Sequence, residues 1–180
     1  RTPGSPGQQP CPQLERQAAI WKFPAGAMGL DQSDGERYVT GTRNVIAMDW
    51  NTDAGALFFA MHGRDQLNTL WPEHFDDEDN AEMPAEEFHR AEAGADYGWP
   101  YTFYDPRTDR RLVAPEYGGD GEQEAPEGRY REPLHAFPAH WAPNDLEFYD
   151  ASMFPERYRG GAFIAWRGSW NRAPLPQDGY

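Results

Sequence analysis

The sequence predicts an all-β protein that forms part of a β-propeller, and three observations support this. Helical periodicity is absent, whereas short apolar segments alternate with turn residues along the chain. The 180 residues include 18 Gly and 17 Pro, yet 14% of them are aromatic, which favours a loop-rich fold with a packed interior over disorder. Finally, two similar pairs of strands recur about 100 residues apart.

The elements can be assigned in order along the chain. Residues 1–13 are rich in Pro, Gly and Gln, so residues 1–17 are predicted to be a linker or loop and residues 18–180 the folded domain. The long segments 62–85 and 101–128 are rich in acidic, Gly or Pro residues and are expected to be loops, and 153–158 at most one helical turn. Strands are expected at 18–23, 36–40, 46–50, 56–61, 86–91, 133–137, 146–149 and 161–166, with a hairpin turn at 51–55.

The internal repeat relates the hairpin at 46–61 to the strand pair at 145–165. An offset of about 100 residues equals roughly two periods of 40–50 residues, which is the length of a four-stranded propeller blade. Such blades bury their faces only against neighbours, so several must stack, and 180 residues would hold three to four of them. An ordinary β-sandwich with coincidental spacing is the alternative.

Charge and cysteine content exclude several classes of function. Lys and Arg number 16 against 30 Asp and Glu, which gives a net charge of −14. This charge argues against nucleic-acid binding and against adhesion to anionic lipid. Cys11 is the one cysteine, so an internal disulfide and a thiolate metal site are excluded.

Two short motifs flank the first hairpin and carry groups suited to binding. Arg43 presents a planar fork of donors for a carboxylate or a developing oxyanion, and Asn44 adds an amide. The segment 62–65, His-Gly-Arg-Asp, follows the hairpin and offers main-chain carbonyls with an acid, which are the hard oxygen ligands that calcium prefers. Taken alone, the Arg-Asn motif is better explained as a structural turn, and the second motif also fits a common glycine-containing turn that closes a blade.

Further candidates lie downstream. Arg167 and Arg172 follow the last predicted strand and could bind an anion at the ring axis, or pair with the protein's many acids. The acidic run 76–87 places acids at EF-hand positions, but Ala81 stands where the pattern needs Gly, so a solvated acidic loop is the better interpretation. Trp99, in the aromatic turn 97–100, fits packing between blades or contact with a ligand.

Six segments of the sequence carry recognisable motifs, in the order 41–44, 62–65, 84–87, 95–100, 139–143 and 154–172. Together they resemble the glucose/sorbosone dehydrogenase family, the soluble-type quinoprotein sugar dehydrogenases, and most closely its sorbosone-dehydrogenase-like branch. The resemblance implies a six-bladed β-propeller, of which residues 18–180 are a part, binding pyrroloquinoline quinone (PQQ) and Ca²⁺ at the ring axis. The sequence departs from the family at 45–47, Val-Ile-Ala, where Pro and Gly are frequent.

The resemblance also implies roles for individual residues. Arg43 would bind the quinone and stabilise its developing oxyanion as the catalytic residue. The carbonyls of Gly63 and Arg64 would ligate the calcium that polarises the quinone, and Glu87 and Tyr97 would ligate a second, structural calcium. The remaining cofactor-binding residues would be Asn44, Trp99, Arg167 and Arg172.

The activity implied by the resemblance is oxidation of an aldose or sorbosone-type sugar by hydride transfer to the quinone, with an external quinone, dye or cytochrome as electron acceptor. The family's general-base histidine is expected before Arg1, so the 180-residue protein alone is expected to be inactive. A periplasmic or secreted location is implied, with membrane attachment as an alternative. Two other functions stay open: a propeller module without quinone that recognises protein or glycan, and a calcium-stabilised structural domain.

Overall fold

The computed structural model describes residues 2–180, and most of their regular structure is antiparallel β-sheet. No helix within this described part is long and apolar enough to cross a membrane. The strands are β1 Ala19–Lys22, β2 Glu36–Thr40, β3 Val45–Asn51, β4 Ala56–Met61, β5 Glu86–Arg90, β6 Thr102–Asp105, β7 Arg110–Val113, β8 His135–Phe137, β9 Pro143–Phe148 and β10 Ala162–Trp166. The α-helices are α1 Leu67–Leu70 and α2 Asp77–Glu82, with 3₁₀ turns at Pro12–Glu15, Gln32–Asp34, Pro115–Tyr117, Glu156–Tyr158 and Trp170–Arg172.

The centre of the fold is a four-stranded sheet in the order β3-β4-β5-β8. Its strands are joined antiparallel, with Met48 opposite Phe59, Phe59 opposite His89, and Glu87 opposite Ala136. This layout is that of one propeller blade. The β6-β7 hairpin is inserted between the third and fourth strands of the blade, and the pairs β1-β2 and β9-β10 form separate two-stranded sheets.

Both faces of the central blade are covered by neighbouring sheets, because successive side chains on β4 point to opposite faces. Phe59 lies on the face that packs with Ile20 and Val39 of the β1-β2 sheet. Ala60 lies on the other face and packs with Leu146 of β9. The blade is therefore sandwiched between two partly built neighbours, as stacking in a propeller requires.

The strand predictions are confirmed along most of the chain, and β2 occupies the predicted residues. The two repeated hairpins are β3-β4 and β9-β10. The offset is expected to span two blades, but only one blade lies between the start of β3 and the start of β9. The inserted β6-β7 hairpin lengthens the connection between β5 and β8 of that blade. The offset of about 100 residues therefore measures one enlarged blade.

Two predicted loops contain regular structure. In 62–85, α2 follows the cap residue Asp76, whose side chain accepts a hydrogen bond from the Asp79 amide, and the Asp79 carboxylate accepts one from the Asp76 amide. This reciprocal capping stabilises a helix in a segment that had been predicted to be a solvated loop. In 101–128, the Asp105 carboxylate accepts hydrogen bonds from Arg107 and Thr108 and so closes the turn between β6 and β7.

Candidate functional site

A polar cavity of about 170 Å³ lies at the open ends of the two repeated hairpins. Its wall is built from the residues that enter β3 and leave β4, and from the matching residues that enter β9 and leave β10. Two consecutive blades therefore supply equivalent positions to one site. The lining residues are Arg43, Asn44, Ile46, His62, Gly63, Asp65, Glu86, His140, Ala142, Arg167, Ser169 and Asn171.

Arg43 is held from three sides in this cavity. Its guanidinium donates hydrogen bonds to the main-chain oxygen of Gly63 and, over 3.2 Å, to Oδ2 of Asp65. The guanidinium carbon also lies 5.6 Å from the centre of the Trp99 ring, where a cation–π interaction stabilises the charge. These contacts place a positive charge at the cavity wall in a defined orientation.

The Glu86 carboxylate links the end of the β3-β4 hairpin to the end of the β9-β10 hairpin. It is 2% exposed on β5, and its carboxylate accepts hydrogen bonds from the amides of Gly63 (3.0 Å) and Ala142 (3.1 Å). Burial outweighs these hydrogen bonds and raises the pKa of Glu86 to about 7. One carboxyl group thus fixes the entrance to β9 relative to the exit from β4.

Asp65 organises the opposite side of the cavity. Its Oδ1 accepts a hydrogen bond of 2.7 Å from the Asn171 amide and lies 3.4 Å from Nδ1 of His140. The His140 ring donates from Nε2 to the carbonyl of Asn80 over 2.6 Å, since a carbonyl can only accept. Burial opposes ionisation of Asp65, but the His140 hydrogen bond and the charge of Arg43 together lower its pKa.

His62 brings an unsatisfied polar atom to the site. Its backbone amide donates to the Asn44 carbonyl over 3.0 Å, which ties the exit of β4 to the entrance of β3. Its Nε2 is buried and has no hydrogen-bond partner among the described residues. Burial lowers the pKa of His62, so the neutral imidazole is favoured. A buried nitrogen without a partner in a cavity wall is typical of a site that a ligand completes.

The structure brings four of the residues singled out in the sequence into this cavity: Arg43, Asn44, Gly63 and Arg167. Arg172 lies elsewhere, because its guanidinium donates to the carbonyl of Ala139 over 2.8 Å. Sequence reasoning did not assign roles here to Glu86, His140 or Asn171. The signal that could have found them was the family resemblance, since they lie within its segments 84–87, 139–143 and 154–172.

The Arg64 side chain turns away from Gly63. It is buried and forms a two-pronged ion pair with Glu116, of which Nη2 to Oε1 spans 2.7 Å. It lines a second cavity of about 240 Å³, which is more apolar than the first and lies among Trp71, Trp99 and Tyr117. Trp99 therefore separates Arg43 from this second cavity.

Glu87 and Tyr97, the pair expected to hold a structural calcium, do lie close together, but a side chain of the protein lies between them. The Arg111 guanidinium donates to Oε2 of Glu87 over 2.6 Å and to the Tyr97 carbonyl over 3.2 Å. Across residues 2–180, no group of three or more His, Cys, Asp or Glu side chains is arranged to hold a metal ion. The residues present therefore fit an internal cation at this position better than a calcium ion.

A complete blade between two partly built ones, with a polar cavity at the strand ends, defines this chain as part of a β-propeller. The family model described as Glucose / Sorbosone dehydrogenase matches residues 24–167, and the chain belongs to that family.

One relative in sequence and two solved structures are similar to most of this chain. An "Uncharacterized protein" of Borreliella burgdorferi is 29% identical over 134 residues, covering 74% of this chain and 30% of the relative. A calcium structure of a Carbohydrate-Active Enzymes Family AA12 protein from Trichoderma reesei is 18% identical with a TM-score of 0.68, covering 96% of this chain and 46% of that one. The holo PQQ domain of pyranose dehydrogenase from Coprinopsis cinerea is 19% identical with a TM-score of 0.62, and the match covers 90% of this chain and 42% of that one. The chain thus spans less than half the length of these proteins, and the predicted partial propeller is confirmed.

Proposed function

We propose that this chain is part of a PQQ-dependent sugar dehydrogenase and that the cavity at the hairpin ends holds the quinone. One observation carries the proposal: Arg43 and Arg167, from two consecutive hairpins, line a single cavity with Asn44 and His62. The family membership makes sugar oxidation the expected chemistry.

The donor set suits an anionic quinone that bears carboxylates. Guanidinium groups match carboxylates in geometry and charge, and here two of them line a cavity whose lining is otherwise largely polar. His62 also lines the cavity, and its buried Nε2 has no hydrogen-bond partner among the described residues. The side-chain amides of Asn44 and Asn171 can both donate and accept.

When bound, the quinone supplies the hydride acceptor for oxidation of the sugar. The protein's contribution is a charge fixed in advance: Asp65 and the Gly63 carbonyl hold the Arg43 guanidinium in place before any ligand arrives. A donor that does not need to reorganise stabilises a developing oxyanion more effectively than a mobile one. Under this proposal Arg43 is the catalytic residue of the chain.

Calcium at the quinone would use oxygens that are already oriented. A carbonyl oxygen has two lone pairs, so Gly63 can accept from Arg43 and still ligate a cation. The Asp65 carboxylate lies in the same wall, and its lowered pKa keeps it ionised. The Arg64 carbonyl, the other predicted ligand, follows Gly63 directly in the chain.

Further parts of the proposal concern the whole protein. The sugar is an aldose or a sorbosone-type compound, the electrons pass to an external quinone, dye or cytochrome, and the protein works in the periplasm or outside the cell. The general-base histidine is supplied from outside these 180 residues. The chain alone would then bind quinone but not turn over sugar, since loss of a general base costs about 10²–10⁴-fold in rate.

The experiment is a titration of the protein with PQQ in the presence of Ca²⁺, followed by tryptophan fluorescence. Arg43→Ala and Arg167→Ala should each weaken binding by about 10- to 100-fold, the value of a charge-assisted hydrogen bond. Arg37→Ala is the matched control, because Arg37 is exposed, donates to the Leu14 carbonyl and carries the same charge. Equal weakening in all three variants, or no uptake by the wild-type protein, would contradict the proposal and favour a propeller module without quinone.

A further inference from the structure

Five oxygen atoms surround the Arg111 guanidinium in the interior, and together they form what we call the oxygen cage. Glu87 supplies a carboxylate oxygen at 2.6 Å, and the carbonyls of Tyr97 and Arg131 lie at 3.2 and 3.0 Å. The Thr102 hydroxyl lies at 3.5 Å, and the Glu132 carboxylate lies 3.5 Å from Nε. Carboxylate, carbonyl and hydroxyl oxygens are the kinds of ligand that a hard divalent cation takes, and water can complete its coordination.

The oxygen cage is buried except on the side of Glu132, whose side chain is 59% exposed. The side chains of Arg111 and Glu87 are 2% and 5% exposed, respectively. The Tyr97 carbonyl reaches Arg111 because the backbone turns sharply at Gly98, which has a φ of +97° and where a Cβ atom would collide with Thr102 and crowd Arg111. The turn also sends the Trp99 amide to the Gly41 carbonyl over 2.9 Å, so the cage anchors the segment that carries Trp99.

Charge balance explains why this place needs a cation. Glu87 is fully enclosed, and a buried carboxylate without a partner is strongly destabilising. Although burial favours its neutral form, the Arg111 charge lowers the pKa of Glu87 and keeps it ionised. Nε2 of His89 contacts the same carboxylate at 3.1 Å.

We propose that Arg111 is a built-in replacement for a divalent cation in the oxygen cage, so that the fold is independent of calcium at this point and the cage would accept Ca²⁺ once the guanidinium is removed. The proposal concerns a position apart from the polar cavity and holds whether or not that cavity binds quinone.

The test compares thermal unfolding of the wild-type protein, Arg111→Ser and Arg110→Ser in EDTA and in millimolar Ca²⁺, without PQQ. Arg110 is the matched control: it is the preceding residue, its side chain is exposed, it pairs with Glu124 at the surface, and its loss changes the net charge equally. In EDTA, Arg111→Ser should lower the Tm by about 10 °C, since a buried partner is lost. Addition of Ca²⁺ should raise its Tm by about 4 °C or more, while the wild type and Arg110→Ser change by about 1 °C at most.

Direct binding gives a second readout. Terbium, which replaces calcium and is excited through nearby tyrosines such as Tyr104 beside Arg111, should show more sensitised emission with Arg111→Ser than with Arg110→Ser. If Arg111→Ser does not fold in EDTA, its refolding should be rescued by Ca²⁺, and Arg111→Gln is measured in the same way. The proposal is overturned if the wild type gains as much from Ca²⁺ as Arg111→Ser does. It is equally overturned if Ca²⁺ raises the Tm of neither Arg111→Ser nor Arg111→Gln by more than that of Arg110→Ser. Failure of both Arg111 variants to fold in Ca²⁺ counts as this outcome.

Discussion

Arg43 donates a hydrogen bond to the main-chain oxygen of Gly63, so the residues that enter β3 and leave β4 are joined across the open end of one hairpin. Trp99 lies over the same guanidinium at 5.6 Å. The orientation of the charge in the polar cavity therefore depends on an aromatic ring from a different loop.

Trp99→Leu should weaken PQQ binding by about fivefold, because the Arg43 guanidinium loses a cation–π contact worth about 1 kcal/mol. The measurement is the fluorescence titration with PQQ, with urea unfolding to confirm that the fold is kept. Trp170→Leu is the control, because Trp170 is 73% exposed, and it should leave the affinity unchanged. An unchanged affinity in Trp99→Leu would show that the ring does not help to hold Arg43.

Stability should depend on pH through Glu86. Its pKa is about 7 in the folded state against 4.5 in the reference state, so the folded protein binds more protons between these values. The stabilisation is therefore complete below about pH 4.5 and is lost as the pH rises through about 7, by about 3 kcal/mol in all.

Urea unfolding of the wild type and Glu86→Gln at pH 5 and pH 8 measures this contribution. The free energy of unfolding should fall less between the two pH values in Glu86→Gln, since its side chain does not ionise there and other groups contribute equally to both proteins. The same fall in both proteins would show that Glu86 does not titrate in this range.

The packing between blades should depend on Leu146, which is a residue of β9, is 2% exposed and packs against the central blade. Leu146→Ala should lower the free energy of unfolding by about 3 kcal/mol, because it leaves a cavity against Ala47 and Ala60. Leu134→Ala, at a position that is 61% exposed, should cost less than about 1 kcal/mol. Denaturant unfolding measures both, and similar costs would contradict the stacked arrangement.

Gly41 should be intolerant of any side chain. It has a φ of +73°, and a Cβ atom there would collide with Asp96 and with the backbone of the turn at Tyr97 and Gly98. Gly41→Ala should therefore destabilise the protein by about 3 kcal/mol or more. Gly55→Ala is the control, because Gly55 has a φ of +56° in open space and should cost only about 1 kcal/mol. Thermal unfolding separates the two, and an equal loss would place the cost in φ alone.

Local sequence patterns were sufficient to predict strands in which apolar and polar residues alternate, or in which an apolar run is bounded by turn residues, as in β2, β3 and β4. They failed where composition concealed structure. The strand Thr102–Asp105 lies in a Pro- and Gly-rich segment, and its turn is closed by the Asp105 side chain, which periodicity does not detect. The helix at Asp77–Glu82 depends on a capping box, and the acidic run that contains this box also resembles the spacing of a calcium loop.

The candidate site divides in the same way. Arg43, Asn44 and Gly63 could be predicted because they lie beside the ends of one hairpin. Glu86 could not, because it reaches the cavity from β5, a neighbouring strand of the same blade. His140 could not, because it precedes β9 and reaches the cavity only through the packing of the next blade. The spacing of Glu87 and Tyr97 suggested a metal, but it carried no information on Arg111, which arrives from an inserted hairpin.

The most direct measurement of the central claim is an assigned amide NMR spectrum of the 180-residue protein recorded with increasing PQQ. We expect saturable shifts concentrated at the backbone amides of Asn44, Gly63, Ala142 and Asn171, which surround the polar cavity. Shifts confined to the second cavity, near Leu70 and Tyr117, or no saturable shifts at all, would contradict the assignment of the polar cavity to the quinone.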